Sequence, residues 1–178
     1  MHRNYIRSIA YNLLFFGLTA LACFLCLPAL LVPRNLAMKL VIMNFVRINT
    51  WLEKYILGLN YEIRGRENVP TTGSFIIGAK HQSAYETMKL HMLFNDPAII
   101  LKKELLSIPL WGWYLKKSDV IAIDRSSPET AIQSIQDGAR RMAAQHRPIV
   151  IFPQGTRVSP DASTISTPYN VGIARVQE

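Results

Sequence analysis

The chain has 178 residues, 49% of them hydrophobic, with a mean hydropathy of +0.13, a formal net charge of +8 and a sequence pI near 9.7. Its length argues for one domain with a proper core and against two. The apolar share is high for a soluble domain, and the basic excess suits a partner that carries phosphate, whether lipid headgroup or nucleic acid.

The N-terminal stretch is uncharged from Ser8 to Pro33, with Arg3 and Arg7 before it and Arg34, Lys39, Arg47 and Lys54 after it. That run exceeds the roughly 20 apolar residues a membrane span needs and outlasts the roughly 7–15-residue apolar core of a cleaved signal peptide. "TALAC" has the outline of a lipoprotein cleavage site, but Ala20 stands where a large aliphatic residue is wanted. Cys23 and Cys26 form a C-x-x-C inside "ALACFLCLPALL". With no charge or further ligand close in sequence, they are ordinary apolar cysteines of a reducing compartment. Positive residues flank both ends and favour the C-terminal side only slightly as the cytoplasmic one. Pro28 and Pro33 leave two readings open, a full span or a re-entrant segment. The next stretch, "LAMKLVIMNFVRINTWLEKYILGL", spaces its apolar residues helically around Lys39, Arg47 and Lys54. It reads either as an interfacial helix with Trp51 and Tyr55 at headgroup depth, or as a helix packed on the domain itself.

After Gly58 the pattern changes, so residues 1–58 are expected to form a membrane-docking or transmembrane helical region and residues 59–178 an α/β domain. "NYEIRGREN" alternates like an edge strand and "VPTTG" is a turn. "SFIIGA", "PAIIL", "DVIAID" and "RPIVIF" have the length and β-rich composition of strands. Helical stretches lie between them, from Glu86 to Phe94 and from Ser127 to Gln145, the second with a Ser127-Pro128-Glu129 start signal. The alternation predicts an α/β fold, a sheet covered by helices on both faces and preceded by N-terminal hydrophobic membrane helices. Polar residues gather between Arg157 and Pro168, which reads as a mobile surface loop.

Three segments carry chemistry. In "HQSAYE", His81 and Glu86 would point roughly 140° apart on one regular helix. If the helix begins near Ser83, His81 sits on the entering turn and Glu86 can reach back to a ring nitrogen. A carboxylate there fixes the tautomer and stabilises imidazolium, leaving the other nitrogen to take a proton from a hydroxyl. Taken alone, such a pair is more often structural than catalytic. Zinc is a poorer reading, since there is no H-E-x-x-H and His91 is badly placed to help. In "IVIFPQGTR" a strand runs into Gly155, Thr156 and Arg157, a glycine, a hydroxyl and a planar cation suited to phosphate; the same turn could equally be a tight turn with a surface arginine. No P-loop pattern occurs. In "KKELLSIPLWGWYLKKSDVIAIDR", Pro109 and Gly112 bracket a turn and Arg125 ends a strand. Its Trp111, Trp113 and Tyr114 beside Lys116 and Lys117 are either interfacial or core aromatics.

In this order the three segments resemble the glycerolipid acyltransferase family, especially bacterial 1-acyl-sn-glycerol-3-phosphate acyltransferases. That family carries an H-x-x-x-x-D block, a K-x-E-L…P…G block ending in arginine, and an F-P-E-G-T-R block. The resemblance runs from about Tyr61 to the C-terminus. It implies transfer of a fatty acyl group from acyl-CoA or acyl-carrier protein to the free hydroxyl of lysophosphatidic acid, by direct attack on the thioester. No nucleophile elbow is present, in agreement. It further implies His81 as general base and Glu86 as its orienter, with Lys103, Arg125, Gly155, Thr156 and Arg157 binding substrate. It implies no metal and no cofactor beyond the thioester co-substrate, and a place at the bacterial inner membrane with the catalytic domain cytoplasmic. Three departures stand out: Glu86 for aspartate, Gln154 for glutamate, and a chain that stops in an apparent helix, "NVGIARVQE", before the family's fourth block, so that the domain is expected to lack its C-terminal part. Two alternatives are another lysolipid acceptor and a membrane lipid-binding protein without catalysis. A nucleic-acid partner is disfavoured, because the basic residues are scattered rather than gathered in one stripe.

Overall fold

A computed structural model of the chain describes residues 2–163 and 165–169, so the segment "NVGIARVQE" lies outside the described residues. The chain divides into two compact units, Met1–Val69 and Pro70–Glu178.

The first unit is a helical hairpin. Helix α1 spans His2–Leu25, and a short 3-10 turn at Leu27–Leu30 follows, with Pro28 in its first turn. A second helical rod then runs through α2 (Arg34–Ala37), a π-helical turn (Met38–Ile42), α3 (Met43–Leu52) and a second π-helical turn (Glu53–Leu57). Gly58 ends it at φ +73°, a left-handed cap that glycine adopts without steric cost. The rods pair antiparallel: Arg7 Nε donates to the Ile56 carbonyl, the Tyr11 hydroxyl lies 3.4 Å from Glu53 Oε1, and the Phe15 and Phe45 rings are 6.3 Å apart. Val46 and Leu52 are buried, while α1 leaves Leu13 71% and Phe16 67% exposed. Residues Asn4–Leu25 are long and apolar enough to cross a membrane by length and composition.

The second unit holds a parallel sheet of β1 (Ile76–Gly78), β2 (Ala98–Lys102), β3 (Ile121–Ile123) and β4 (Ile149–Ile151), in the order β1-β4-β2-β3. Between strands lie α4 (Tyr85–Leu93), a 3-10 turn (Lys103–Ser107) with α5 (Trp111–Lys117), and α6 (Pro128–Ala144). The crossovers β1→β2 and β3→β4 travel in opposite directions across the sheet, and right-handed connections then put α4 and α6 on opposite faces. The packing agrees. Ile135, Ala139 and Met142 of α6 join Ala98, Ile100, Ile121, Ile123, Ile149 and Ile151 on one face, and Leu90 of α4 joins Ile99 and Val150 on the other. Strands buried on both sides explain the near-continuous Ile/Val runs. Each fully buried Ile or Val side chain contributes about 1.5–3 kcal/mol.

Helix α6 starts as its sequence signals: Ser127 accepts from the Thr130 amide, the Thr130 hydroxyl accepts from the Ser127 amide, and Pro128 occupies the first turn. Gly138 permits close approach, since a Cβ there would stand 2.4 Å from Ile121 Cγ2. The loops entering β2, β3 and β4 each pass through a left-handed residue, Asp96, Asp119 and His146. Arg147 ties two of them, donating to the Asp96 carbonyl at 3.1 Å and the Asp119 carbonyl at 3.1 Å.

Two expectations differ from the observed chain. "NYEIRGREN" is not a strand: only Arg66–Asn68 is regular, as a 3-10 turn entered through Gly65 at φ +72°. Its alternation comes from Glu62 and Arg64, exposed and paired with each other at 2.9 Å instead of lying on a sheet edge. "SIPLWGWYLKK" contains a helix, α5, rather than only a turn. Its Tyr114 is buried, whereas Trp111 and Trp113 are exposed.

Candidate active site

All of the predicted site residues leave the sheet at its C-terminal edge, where ligands bind in open parallel sheets. The register Gly78↔Ile151 is extended by the Ala79 amide donating to the Ile151 carbonyl at 3.0 Å, so the segments carrying His81 and Phe152 emerge side by side. The chain returns after its turn, and the Val158 amide donates to the His81 carbonyl at 2.8 Å. The register Lys102↔Ile123 likewise delivers Lys103 beside Asp124. A last link crosses between the exits: Arg125 Nη1 donates to the Gly155 carbonyl at 3.3 Å.

His81 precedes α4, so the helical geometry that would part it from Glu86 does not apply. Its Nδ1 lies 2.6 Å from Glu86 Oε1, with both side chains about one-fifth exposed (21% and 22%). Glu86 also accepts from the Gln82 amide (2.9 Å), the Ser83 amide (3.0 and 3.1 Å) and the Ser83 hydroxyl (3.1 Å). Burial pushes its carboxyl up, but the amides of Ser83, Gln82 and Glu86 itself, together with His81, outweigh that and hold it below the usual glutamate range. An ionised Glu86 makes Nδ1 the protonated nitrogen and leaves Nε2 as the basic one. On the ring's face, Phe152 stacks at 4.3 Å between centroids and 29° between planes.

Residues 152–157 form the second wall. The Gly155 amide donates to the Phe152 carbonyl at 2.9 Å with Gly155 at φ +68°, and Thr156 and Arg157 are exposed beyond it. Gln154 is buried, and its Oε1 has no hydrogen-bond partner among the described residues. At the other exits, Lys103 Nζ binds Asp124 Oδ2 at 2.9 Å. That contact, with the Ser126 amide and side chain, lowers the Asp124 carboxyl to about 2, and Asp124 in turn raises the Lys103 ammonium. Lys103 therefore enters the site as half of an ion pair. The structure joins His81 to Glu86 and Arg125 to Gly155, and sets Lys103 apart on Asp124.

Sequence reasoning assigned no role to Ser83, Asp124 or Phe152. Ser83 had a legible signal: Ser83-Ala84-Tyr85-Glu86 is the S-x-x-E of a capping box. Ser83 Oγ accepts from the Tyr85 amide at 3.0 Å while Glu86 accepts from the Ser83 amide, so one carboxylate both ties the turn that enters α4 and contacts the His81 ring; the N-cap position itself is Ala84. Among the described residues no group of three His, Cys, Asp or Glu side chains is arranged to hold a metal ion.

Known proteins resemble this chain in sequence and in fold. A family profile described as Acyltransferase matches residues 60–176. A Pseudomonas aeruginosa 1-acyl-sn-glycerol-3-phosphate acyltransferase is 36% identical over 128 residues, covering 72% of this chain and 49% of that protein. The Saccharomyces cerevisiae protein of the same name is 31% identical over 105 residues, covering 58% and 34% respectively. The chain thus spans half or less of the length of these relatives. The crystal structure of the 1-acyl-sn-glycerophosphate (LPA) acyltransferase PlsC from Thermotoga maritima shares the fold, with a TM-score of 0.68 at 22% identity over 97% of this chain and 71% of that one. With a profile match over more than half its length, on the segment that carries the His81–Glu86 pair and the Phe152–Arg157 turn, this chain belongs to the acyltransferase family.

Proposed function

We propose that this protein transfers a fatty acyl group from acyl-CoA or acyl-carrier protein to the free hydroxyl of lysophosphatidic acid, giving phosphatidic acid for phospholipid synthesis. The observation that carries the reading is the 2.6 Å His81–Glu86 contact at the sheet's C-terminal edge, beside a turn that bears Arg157 and is bound by Arg125. His81 Nε2 takes the proton of the acceptor hydroxyl as its oxygen attacks the thioester carbonyl. Glu86 stabilises the imidazolium through Nδ1–H. The tetrahedral oxyanion collapses, the C–S bond breaks, and the departing thiolate takes the proton from the imidazolium. An ester and a free thiol result, with no acyl-enzyme, metal or further cofactor in the scheme. Arg125, Thr156 and Arg157 hold the acceptor phosphate, Gly155 lets the turn come close to it, and Lys103 supports them from its ion pair. Residues 59–178 carry the chemistry. The exposed apolar helix α1 holds the protein at the membrane, the bacterial inner membrane with the catalytic unit cytoplasmic. The names of the relatives support the acceptor. The buried amide of Gln154, where the family's motif carries glutamate, favours a different lysolipid as the second reading.

Acyl transfer in detergent, from labelled acyl-CoA and acyl-carrier protein to lysophosphatidic acid, tests this directly. Transfer by the full chain that disappears in His81→Ala is the expected result, and the better donor names the thioester. A folded parent chain that binds lysophosphatidic acid yet transfers nothing from either donor would overturn it in favour of a lipid-binding role.

A further inference from the structure

Glu86 constrains His81 at one point. A single hydrogen bond to Nδ1 still lets the ring tilt about that contact, and torsions from sp³ to sp² atoms such as the outer one of histidine have broad minima. The position of Nε2 therefore depends on a second constraint. Phe152 supplies it: its ring lies on the imidazole face at 4.3 Å and 29°. Phe152 is itself held, packing against the cluster of Leu90, Ile99 and Val150, while its carbonyl closes the turn through the Gly155 amide at 2.9 Å. One residue thus connects a fixed core, the ring that moves the proton, and the arginine-bearing turn.

We propose that Phe152 is a positioning residue: its ring sets the plane of the His81 imidazole so that Nε2 meets the acceptor hydroxyl. The catalytic consequence rests on the acyl-transfer reading, whereas the restraint on the ring does not.

The test compares the full chain with Phe152→Leu and Phe152→Tyr in detergent micelles, with Phe152→Met standing in if the leucine variant loses cooperative melting. Two readouts are taken. Carbon NMR relaxation of the His81 Cδ2–H and Cε1–H bonds reports how tightly the ring is held, its signals identified by their loss in His81→Gln. Steady-state kinetics separate kcat from KM for donor and acceptor. In Phe152→Leu we expect a loosened His81 ring, its tautomer still set by Glu86, and a kcat lower by about 3- to 10-fold, with both KM values within about twofold and Phe152→Tyr restored on both readouts. An unchanged kcat, or a rise in KM alone, would overturn the proposal, and so would a tyrosine variant as impaired as the leucine one. If the parent chain transfers no acyl group, the acyl-transfer reading fails while the spectra still decide: a loosened ring in Phe152→Leu upholds the restraint, and parent-like relaxation rejects it.

Discussion

Replacing Glu86 by glutamine separates the two tasks this carboxylate performs. The change keeps shape and one acceptor oxygen but removes the charge and turns the second oxygen into a donor. In the wild-type protein that carboxylate takes four donors, from His81, the Gln82 amide, and the amide and hydroxyl of Ser83. Hydrogen bonds to a charged group are worth about 1.5–3 kcal/mol against about 0.5–1.5 for neutral ones. Loss of charge at a site about one-fifth exposed, with an amide NH₂ now facing other donors, is expected to destabilise by about 2–3 kcal/mol at pH 7. That corresponds to roughly 5–10 °C in Tm for a chain of this size. The sign with pH follows from the depressed carboxyl. Its contribution is complete above the unfolded glutamate value and is lost as pH falls through the lower folded one. The Tm gap between wild type and Glu86→Gln should therefore be full at pH 7 and shrink steadily on acidification below about pH 5. Catalytically, an unfixed tautomer should cost about 10²–10⁴ in kcat, with KM little changed. Thermal melts across pH, paired with acyl-transfer rates, check both. A Tm gap that persists undiminished down to pH 3 would refute the electrostatic argument, and an unchanged kcat would refute the orienting role.

Two further substitutions test the frame that holds the site. Arg147→Leu removes a guanidinium whose side chain is 6% exposed and which binds the carboxylates and carbonyls of Asp96 and Asp119 and the carbonyl of Ser118; Asp119 keeps Arg141 at 3.0 Å, so losing the other contacts should cost about 3 kcal/mol, read as a lower urea midpoint. Gly138→Ala places a methyl 2.4 Å from Ile121 Cγ2, and Ile121 is too buried to move aside. The clash of about 1–3 kcal/mol outweighs the gain of about 1 kcal/mol in helix propensity, so the melting temperature should fall where propensity alone predicts a rise.

What was legible in the sequence had local causes. The four strands are short Ile-rich runs, and α6 announces itself through Ser127, Pro128 and helical spacing. The His81–Glu86 contact spans five residues, and the S-x-x-E pattern could have been read beside it. Helix α5 was not legible, for "WGWYLKK" has a glycine and three aromatics in seven residues, a weak helix former. Tertiary contact fixes it instead: Gly112 sits where a Cβ would stand 2.2 Å from the Leu106 carbonyl oxygen, and Leu110 opens it at φ +62°. "NYEIRGREN" failed the other way, because alternation describes a strand only when a neighbouring strand is there to pair with it.

The strand order is the deeper gap. Nothing between Ile76 and Ile151 states that β4 inserts between β1 and β2, since that choice belongs to the packing of α4 and α6 on opposite faces. The site depends on it. With β1 beside β4, the imidazole of His81 comes to lie on Phe152 and its carbonyl takes the Val158 amide. In the chain-order sheet β1-β2-β3-β4, β2 and β3 would separate those segments at roughly 4.8 Å per strand, parting His81 from the arginine-bearing turn. Motif order along the chain therefore identifies the family, but only the insertion of β4 turns three separate motifs into one site.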